Sequence, residues 1–381
     1  MNTIDIETRI GELMAAVQRD EISAAQAIRD VDRVLKTFRR VSLGDQEDAY
    51  NLKVLLGVGE SYEALSSFDR ALAVYSEALD LSRKLNEKAS EAALLRQTGR
   101  VHRKRNRWDE ALTHIRESRT LYDDLQDATG SARCQISEGI VAYERGNYDA
   151  ASDAYQAALE IGQRIPNRRI VADATMNLGI LYTIKGDFDE ATVHYQNSLA
   201  LFEQLDSSVS MAQAYHNLGK CYSAKQNWNQ ALDAYEKCLE ISQDQGNLLQ
   251  SAMTYVNKAA VYLELGDMTM TATYCARAVD IFKEVDYPLG VAEAYKVLGQ
   301  MFTRKQEWIT AQGLLEESLR ICEEFDNPLG AAESCRSIGI LHHNRDEADL
   351  ARTNLERARD QFQSLGARHD VESTTELIAA L

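Results

Sequence analysis

The sequence predicts an all-α solenoid: eight two-helix repeats with a helical cap at each end. Three observations carry this. Glycine returns at Gly59, Gly99, Gly139, Gly179 and Gly219, Ala259 stands in once, and Gly299 and Gly339 resume, a step of 40 residues without insertion or deletion. A fixed period of this kind marks units that bury their apolar faces only against their neighbours. Around each glycine the small and large apolar residues keep helical spacing. Only three prolines occur in 381 residues, as a nearly all-helical chain requires.

Residues 1–44 lack the repeat signature and read as an N-terminal cap of two helices. Ile4, Ile10, Leu13, Met14 and Val17 give the first its apolar face. Ser23 with Gln26 makes a capping box that opens the second, which runs to about Arg39 and turns Ala27, Ile28, Val31, Val34, Leu35 and Phe38 inward. The alternative is a separate docking module.

Residues 45–366 hold the eight repeats, numbered here from the glycine. An aromatic or similar residue often follows at +3 (Tyr62, Tyr182, Tyr222, Tyr262) and a bulky one at +9 (Phe68, Trp108, Trp228, Trp308). Alanine holds +12 in every copy but one, from Ala71 to Ala351, with Thr271 the exception. A large residue usually stands at +16 (Tyr75, Ile115, Tyr155, Tyr195, Tyr235, Leu315, Leu355), and +19 is always small. Positions −7, −4, 0 and +3 share one helical face, and +12, +16 and +19 share another. The break between them falls near +7 to +9, often Gly-Asp or Gly-Asn, so each repeat is two helices and a tight turn. Small residues at 0, +12 and +19 let the axes approach, and large ones fill the gaps. Asp286–Gly290 and Asp326–Gly330 repeat an Asp-x-Pro-Leu-Gly junction with Pro near a helix start. Residues 367–381 read as a capping helix, from His369 to Leu381, whose Val371, Leu377 and Ile378 cover the last pair.

A net charge of −17 argues against general nucleic-acid binding. No stretch approaches the ~18 consecutive apolar residues of a membrane span, and the start does not read as a signal peptide. A cytoplasmic location is expected. The cysteines (Cys134, Cys221, Cys238, Cys275, Cys322, Cys335) form no CxxC pair and stand where sister repeats carry small apolar residues, so buried free thiols are expected. No catalytic residue, metal site or cofactor is expected: there is no HExxH, phosphate-binding loop, GxSxG or dinucleotide fingerprint. His342 and His343 are adjacent, so on a helix they point apart. His342 holds the +3 core position.

This pattern resembles the tetratricopeptide repeat family over roughly residues 45–366. The family's Leu-Gly-x-x-Tyr stands here as Leu178-Gly179-Ile180-Leu181-Tyr182 and Leu218-Gly219-Lys220-Cys221-Tyr222. The usual unit has about 34 residues. The longer form is similar to Leu-Gly-Asn-repeat spindle adaptors, kinesin light chains and bacterial Rap-type regulators. The resemblance implies a right-handed superhelix whose first helices line a concave groove.

Helical spacing and the resemblance together put −6, −3, −2, +1, +4 and +5 on the groove face. In the second repeat that stripe is basic, with Arg96, Arg100, Arg103 and Lys104, and Arg133 extends it. Between Ala92 and Trp108 there are six Lys or Arg and no acid. Helix-end electrostatics accounts for Lys104, Arg105 and Arg107 but not for Arg96 and Arg100. An anion site is the functional alternative. The third and fourth repeats carry apolar Ile136, Ile140, Tyr143, Met176, Ile180 and Ile184, either packing between first helices or an exposed binding strip. Asn177, Asn217 and Asn257 hold −2 at steps of 40, and Gln97 and Ser137 could continue the series. An amide donates and accepts, so such a ladder suits the backbone of an extended peptide, as in long-repeat adaptors. The alternative is Asn bonding a neighbouring helix.

The expected function is a non-enzymatic adaptor that binds an extended or partly helical peptide with an acidic segment. The acidic end lies over Arg96, Arg100, Arg103 and Arg133, apolar side chains on Ile140, Tyr143 and Ile180, and the backbone on Asn177, Asn217 and Asn257. The second expectation is a Rap-like regulator that responds to a small peptide and acts through residues 1–44.

Overall fold

The computed structural model describes residues 4–18, 22–41 and 48–381, with side chains for 8–17, 22–39 and 50–381. The side chain of Ile4 and the junction between 44 and 45 lie outside the described residues. Among the described residues there are nineteen helices and no strand. In chain order they are α1 (Ile4–Gln18), α2 (Ala24–Val41), α3 (Asp48–Ala64), α4 (Phe68–Lys84), α5 (Lys88–Lys104), α6 (Trp108–Asp124), α7 (Ala128–Glu144), α8 (Tyr148–Arg164), α9 (Arg168–Lys185) and α10 (Phe188–Gln204). Then follow α11 (Ser208–Ala224), α12 (Trp228–Asp244), α13 (Leu248–Glu264), α14 (Met268–Glu284), α15 (Pro288–Arg304), α16 (Trp308–Glu324), α17 (Pro328–Asn344), α18 (Ala348–Ser364) and α19 (Arg368–Ala379). From α3 onward a helix opens every 20 residues, so the 40-residue period is two equal halves.

The turns explain that regularity. At +7 the backbone enters the left-handed region, with Gly146, Gly186 and Gly266 in three copies and Ser66, Asn106, Gln226 and Gln306 in others. The next N–H then bonds back to the +3 carbonyl, as in Ser67 to Tyr62 at 2.8 Å and Asn147 to Ala142 at 2.9 Å. This closes the first helix and aims the second back along it.

The repeat core is a glycine under a large side chain. A Cβ added at Gly59 would lie 2.2 Å from the Tyr75 ring, and one at Gly219 would lie 2.4 Å from Tyr235. The same contact joins Gly99 to Ile115, Gly139 to Tyr155, Gly179 to Tyr195, Gly299 to Leu315 and Gly339 to Leu355. In the sixth copy Ala259 supplies the missing methyl and the +16 residue shrinks to Cys275, both fully buried in one cluster. All six cysteines are buried free thiols.

The chain divides into two compact units, residues 1–174 and 175–381. In the first, α1 and α2 share a core with the opening repeat: Ile10, Val31, Val34, Leu35 and Phe38 cluster with Leu52, Val58, Tyr62 and Tyr75. Ser23 Oγ accepts from Gln26 N at 3.2 Å, but the Gln26 side chain donates to Asp30 instead of completing the capping box. In the second, α19 covers α18, with Val371 against Phe362 and Cys335. The Phe188 ring also meets His369 edge-on at 5.9 Å, so the start of α10 touches α19 within this unit.

Candidate functional site

The first helices of each unit carry the expected groove residues, and the two units treat them differently. In the first unit the basic cluster is internally paired. Glu63 on α3 is 3% exposed and takes Arg100 Nη2 at 2.7 Å and Lys104 Nζ at 3.0 Å. Burial alone would push the Glu63 carboxyl up, but Arg100 and Lys104 hold it below the usual range. Arg103 pairs with Glu144 on α7, and Gln97 donates to Glu60 at 2.9 Å. The acids missing from Ala92–Trp108 therefore come from the adjoining repeats. Arg96 is half-buried against the Tyr122 side chain with Nε unpartnered, and Arg133 is exposed with no ion pair among the described residues, its charge felt at Asp173. Ile140 and Tyr143 are half-buried and Ile136 is buried, so they do not form a freely exposed strip.

In the second unit Met176 is buried, and Ile180 and Ile184 are half-buried. The amide series separates. Asn177 and Asn217 are half-buried with no side-chain hydrogen bond among the described residues. The Asn257 amide is occupied: its Nδ2 lies 3.2 Å from His216 Nε2 on α11. His216 Nδ1 in turn lies 3.1 Å from Thr254 Oγ1, which donates to the Gln250 carbonyl at 2.8 Å. With Asn257 donating, Nε2 is the acceptor and Nδ1 carries the proton. Burial, with Lys220 nearby, pushes the His216 imidazole down to about 3, so it stays neutral.

Two cavities open on these helices. One of about 870 Å³ is lined by polar groups including Arg304, Arg336, Gln300 and Ser337. Most have internal partners: Arg304 with Glu264, Arg336 with Asp370 at 2.8 Å, and Gln300 with Ser337 at 2.9 Å. The other, of about 260 Å³, is lined by Lys220, His216, Asn257, Met253, Leu289 and Leu329 among others. Beside it Lys296 on α15, 8% exposed, donates to Glu293 at 2.8 Å and to Glu333. Burial opposes charge on Lys296 and Glu333, yet their mutual pairing raises the lysine and lowers the glutamate. Among the described residues no group of three or more His, Cys, Asp or Glu is arranged to hold a metal ion, and no helix is long and apolar enough to cross a membrane.

The tetratricopeptide repeat model matches residues 50–124, 133–204, 170–244 and 250–324, more than half the chain. The chain belongs to the tetratricopeptide repeat family. No curated protein sequence matches it. Among solved structures it is similar to a Rap protein complexed with competence and sporulation factor, at TM-score 0.66 and 13% identity over 96% of this chain and 99% of that one. It is also similar to the apo quorum sensor NprR from B. thuringiensis, at TM-score 0.63 and 16% identity over 94% and 99%. A third is BtubC from P. vanneervenii, at TM-score 0.51 and 22% identity over 57% and 92%. At these identities the likeness is one of fold.

Within this tetratricopeptide array, sequence reasoning passed over Lys220 and the apolar residues of the smaller cavity. The signal was present. Position −10 is apolar in four successive copies, Val209, Leu249, Leu289 and Leu329, but reads Ala89, Thr129 and Arg169 before them.

Proposed function

We propose that the chain is a protein-interaction adaptor or regulator that holds an extended peptide on the first helices of its second unit. The observation that carries this is Asn177 and Asn217: two half-buried amides, 40 residues apart, with no side-chain hydrogen bond among the described residues. A half-buried amide forgoes water on one side, and a peptide backbone supplies both a donor and an acceptor to replace it. The cavities beside α11 to α17 give side chains of such a ligand somewhere to lie. Of the basic cluster in the first unit, Arg96 and Arg133 stay available to an acidic segment, whereas Arg100 and Arg103 serve the fold through Glu63 and Glu144.

Selection of a displayed dodecapeptide library on the full chain tests this reading. Enriched peptides should protect amides of α11 and α13 from hydrogen exchange, and Asn217→Ala should weaken them by about 0.5–1.5 kcal/mol. Failure to enrich any peptide, or protection confined to the second helices, would sink it.

A second reading keeps the same groove and changes the output. The structural likeness to the Rap complex and to NprR covers 96% and 94% of this chain, which favours a regulator that responds to a small peptide. Because α1 and α2 share a core with the first repeat, such output would run through that shared core.

A further inference from the structure

We propose that the 260 Å³ cavity of the second unit is a side-chain pocket for a large apolar residue of the bound peptide, with Lys220 at its rim holding an acidic residue beside it. The proposal rests on the peptide-binding reading and states what that peptide must carry.

The apolar half of the argument is size and register. An apolar cavity of about 150 Å³ accommodates a benzene ring, so this one admits a leucine, methionine or phenylalanine side chain. Its wall includes Met253, 39% exposed, and Leu329, 45% exposed, with Val256, Phe282 and Leu289. Isolated exposed apolar residues are ordinary on a protein surface. These differ because Leu289 and Leu329 continue a row with Val209 and Leu249 at steps of 40, and the row ends where the cavity does. Positions 89, 129 and 169 of the first unit break it with Ala, Thr and Arg.

The polar half is an accounting of partners. Glu293 and Glu333 line the cavity, but Lys296 donates to both, so they do not call for a cationic guest. His216 and Asn257 are bonded to each other, and Asn327 Oδ1 accepts from Gly330 N at 3.1 Å. Lys220 is the charged group of the lining with no direct hydrogen bond or ion pair among the described residues; its charge is felt by Glu333, but that carboxylate is held by Lys296. On α11, α13, α15 and α17 the other long cations each have a carboxylate: Lys258 has Glu236, Lys296 has Glu293 and Glu333, Arg304 has Glu264 and Arg336 has Asp370. A carboxylate is the complement to an ammonium without a direct ion pair beside an apolar pocket, and its pairing there fixes register and partner choice.

The test uses the same dodecapeptide library on the full chain. Enriched peptides should place Asp or Glu within about three residues of Leu, Met or Phe. Lys220→Glu should weaken them about tenfold, or about 1.4 kcal/mol, and a fresh selection on that variant should return Lys or Arg in place of the acid. Leu329→Asp, which suits the start of α17 electrostatically, should weaken them at least about tenfold with the melting temperature unchanged. Peptides lacking the acid–apolar pair, or a Lys220→Glu variant that still selects acids, would overturn the pocket while leaving peptide binding standing. An empty selection would overturn both.

Discussion

Both units hold polar side chains between successive first helices, but they spend them differently. In the first unit Arg100, Arg103 and Lys104 of α5 are tied to carboxylates of α3 and α7, with Glu63 buried beneath Arg100 and Lys104. In the second unit the links between first helices include a neutral chain, Asn257 to His216 to Thr254, and a buried Lys296 shared by two glutamates. They leave Asn177, Asn217 and Lys220 without a direct hydrogen bond or ion pair among the described residues. A basic patch on a repeat array is therefore not by itself an anion site. What distinguishes a surface built to bind is polar groups that the fold has left without partners.

The hardest test of that contrast is Glu63→Gln. It leaves Arg100 and Lys104 over a neutral amide in a buried place, and breaking a buried pair from one side costs about 3–5 kcal/mol. Arg100 and Lys104 keep 37% and 36% exposure, so water softens the loss to about 2–3 kcal/mol by chemical denaturation. If Glu63→Gln is neutral in stability, the cluster is not structural and its arginines return as ligand contacts.

The second unit should betray its neutral network through pH. His216 is held down to about 3 when folded, while an unfolded histidine titrates near 6.5. Below about pH 6.5 the unfolded chain takes a proton that the folded chain refuses, so stability falls as pH falls. The loss reaches about 2 kcal/mol at pH 5. Glu63 is displaced in the same direction but from a lower starting point: its contribution is present above the ordinary carboxylate range and is lost as pH falls through that range, below the window in which His216 acts. Half-buried His102 and His194 are also lowered and add in the same direction as His216. Comparison with His216→Gln isolates its share. Unfolding free energies measured at pH 7 and pH 5 should converge for the variant by about that amount, and parallel curves would refute the buried neutral imidazole.

The repeat itself was legible because backbone proximity leaves a residue signature. A glycine at 0 and a large residue at +16 are two sides of one contact, and the sixth copy, with Ala259 and Cys275, shows the sum conserved when its parts change. The partners were harder to see because they lie in other copies. Arg100 meets Glu63 across 37 residues, as do Lys296 with Glu333 and Gln300 with Ser337. Arg103 meets Glu144 across 41, as does Asn257 with His216. These offsets are the period minus 3 or plus 1, which is where adjoining first helices put one stripe beside the next. A scan for opposite charges at 37 and 41 would have found the acids that a local window omits. Cavity volume has no such signature, since it depends on how several side chains fall short of one another.

The smallest expected effects separate the amides. Asn257→Ala removes the donor to His216 Nε2 and leaves a buried ring nitrogen without a partner. The unmet acceptor should cost about 1–2 kcal/mol of stability. Asn217→Ala, one repeat earlier at the same position, removes an amide with no hydrogen bond among the described residues. Its stability should stay within about 0.5 kcal/mol of the parent, while affinity for a groove-binding peptide falls. The pair shares residue type, repeat position and helical face, so helix propensity cancels between the two variants. What remains is whether the fold has already used the amide. Equal destabilisation would mean that Asn217 also serves the helix packing. Its series would then be structural throughout, and the peptide backbone would have to be held by other groups.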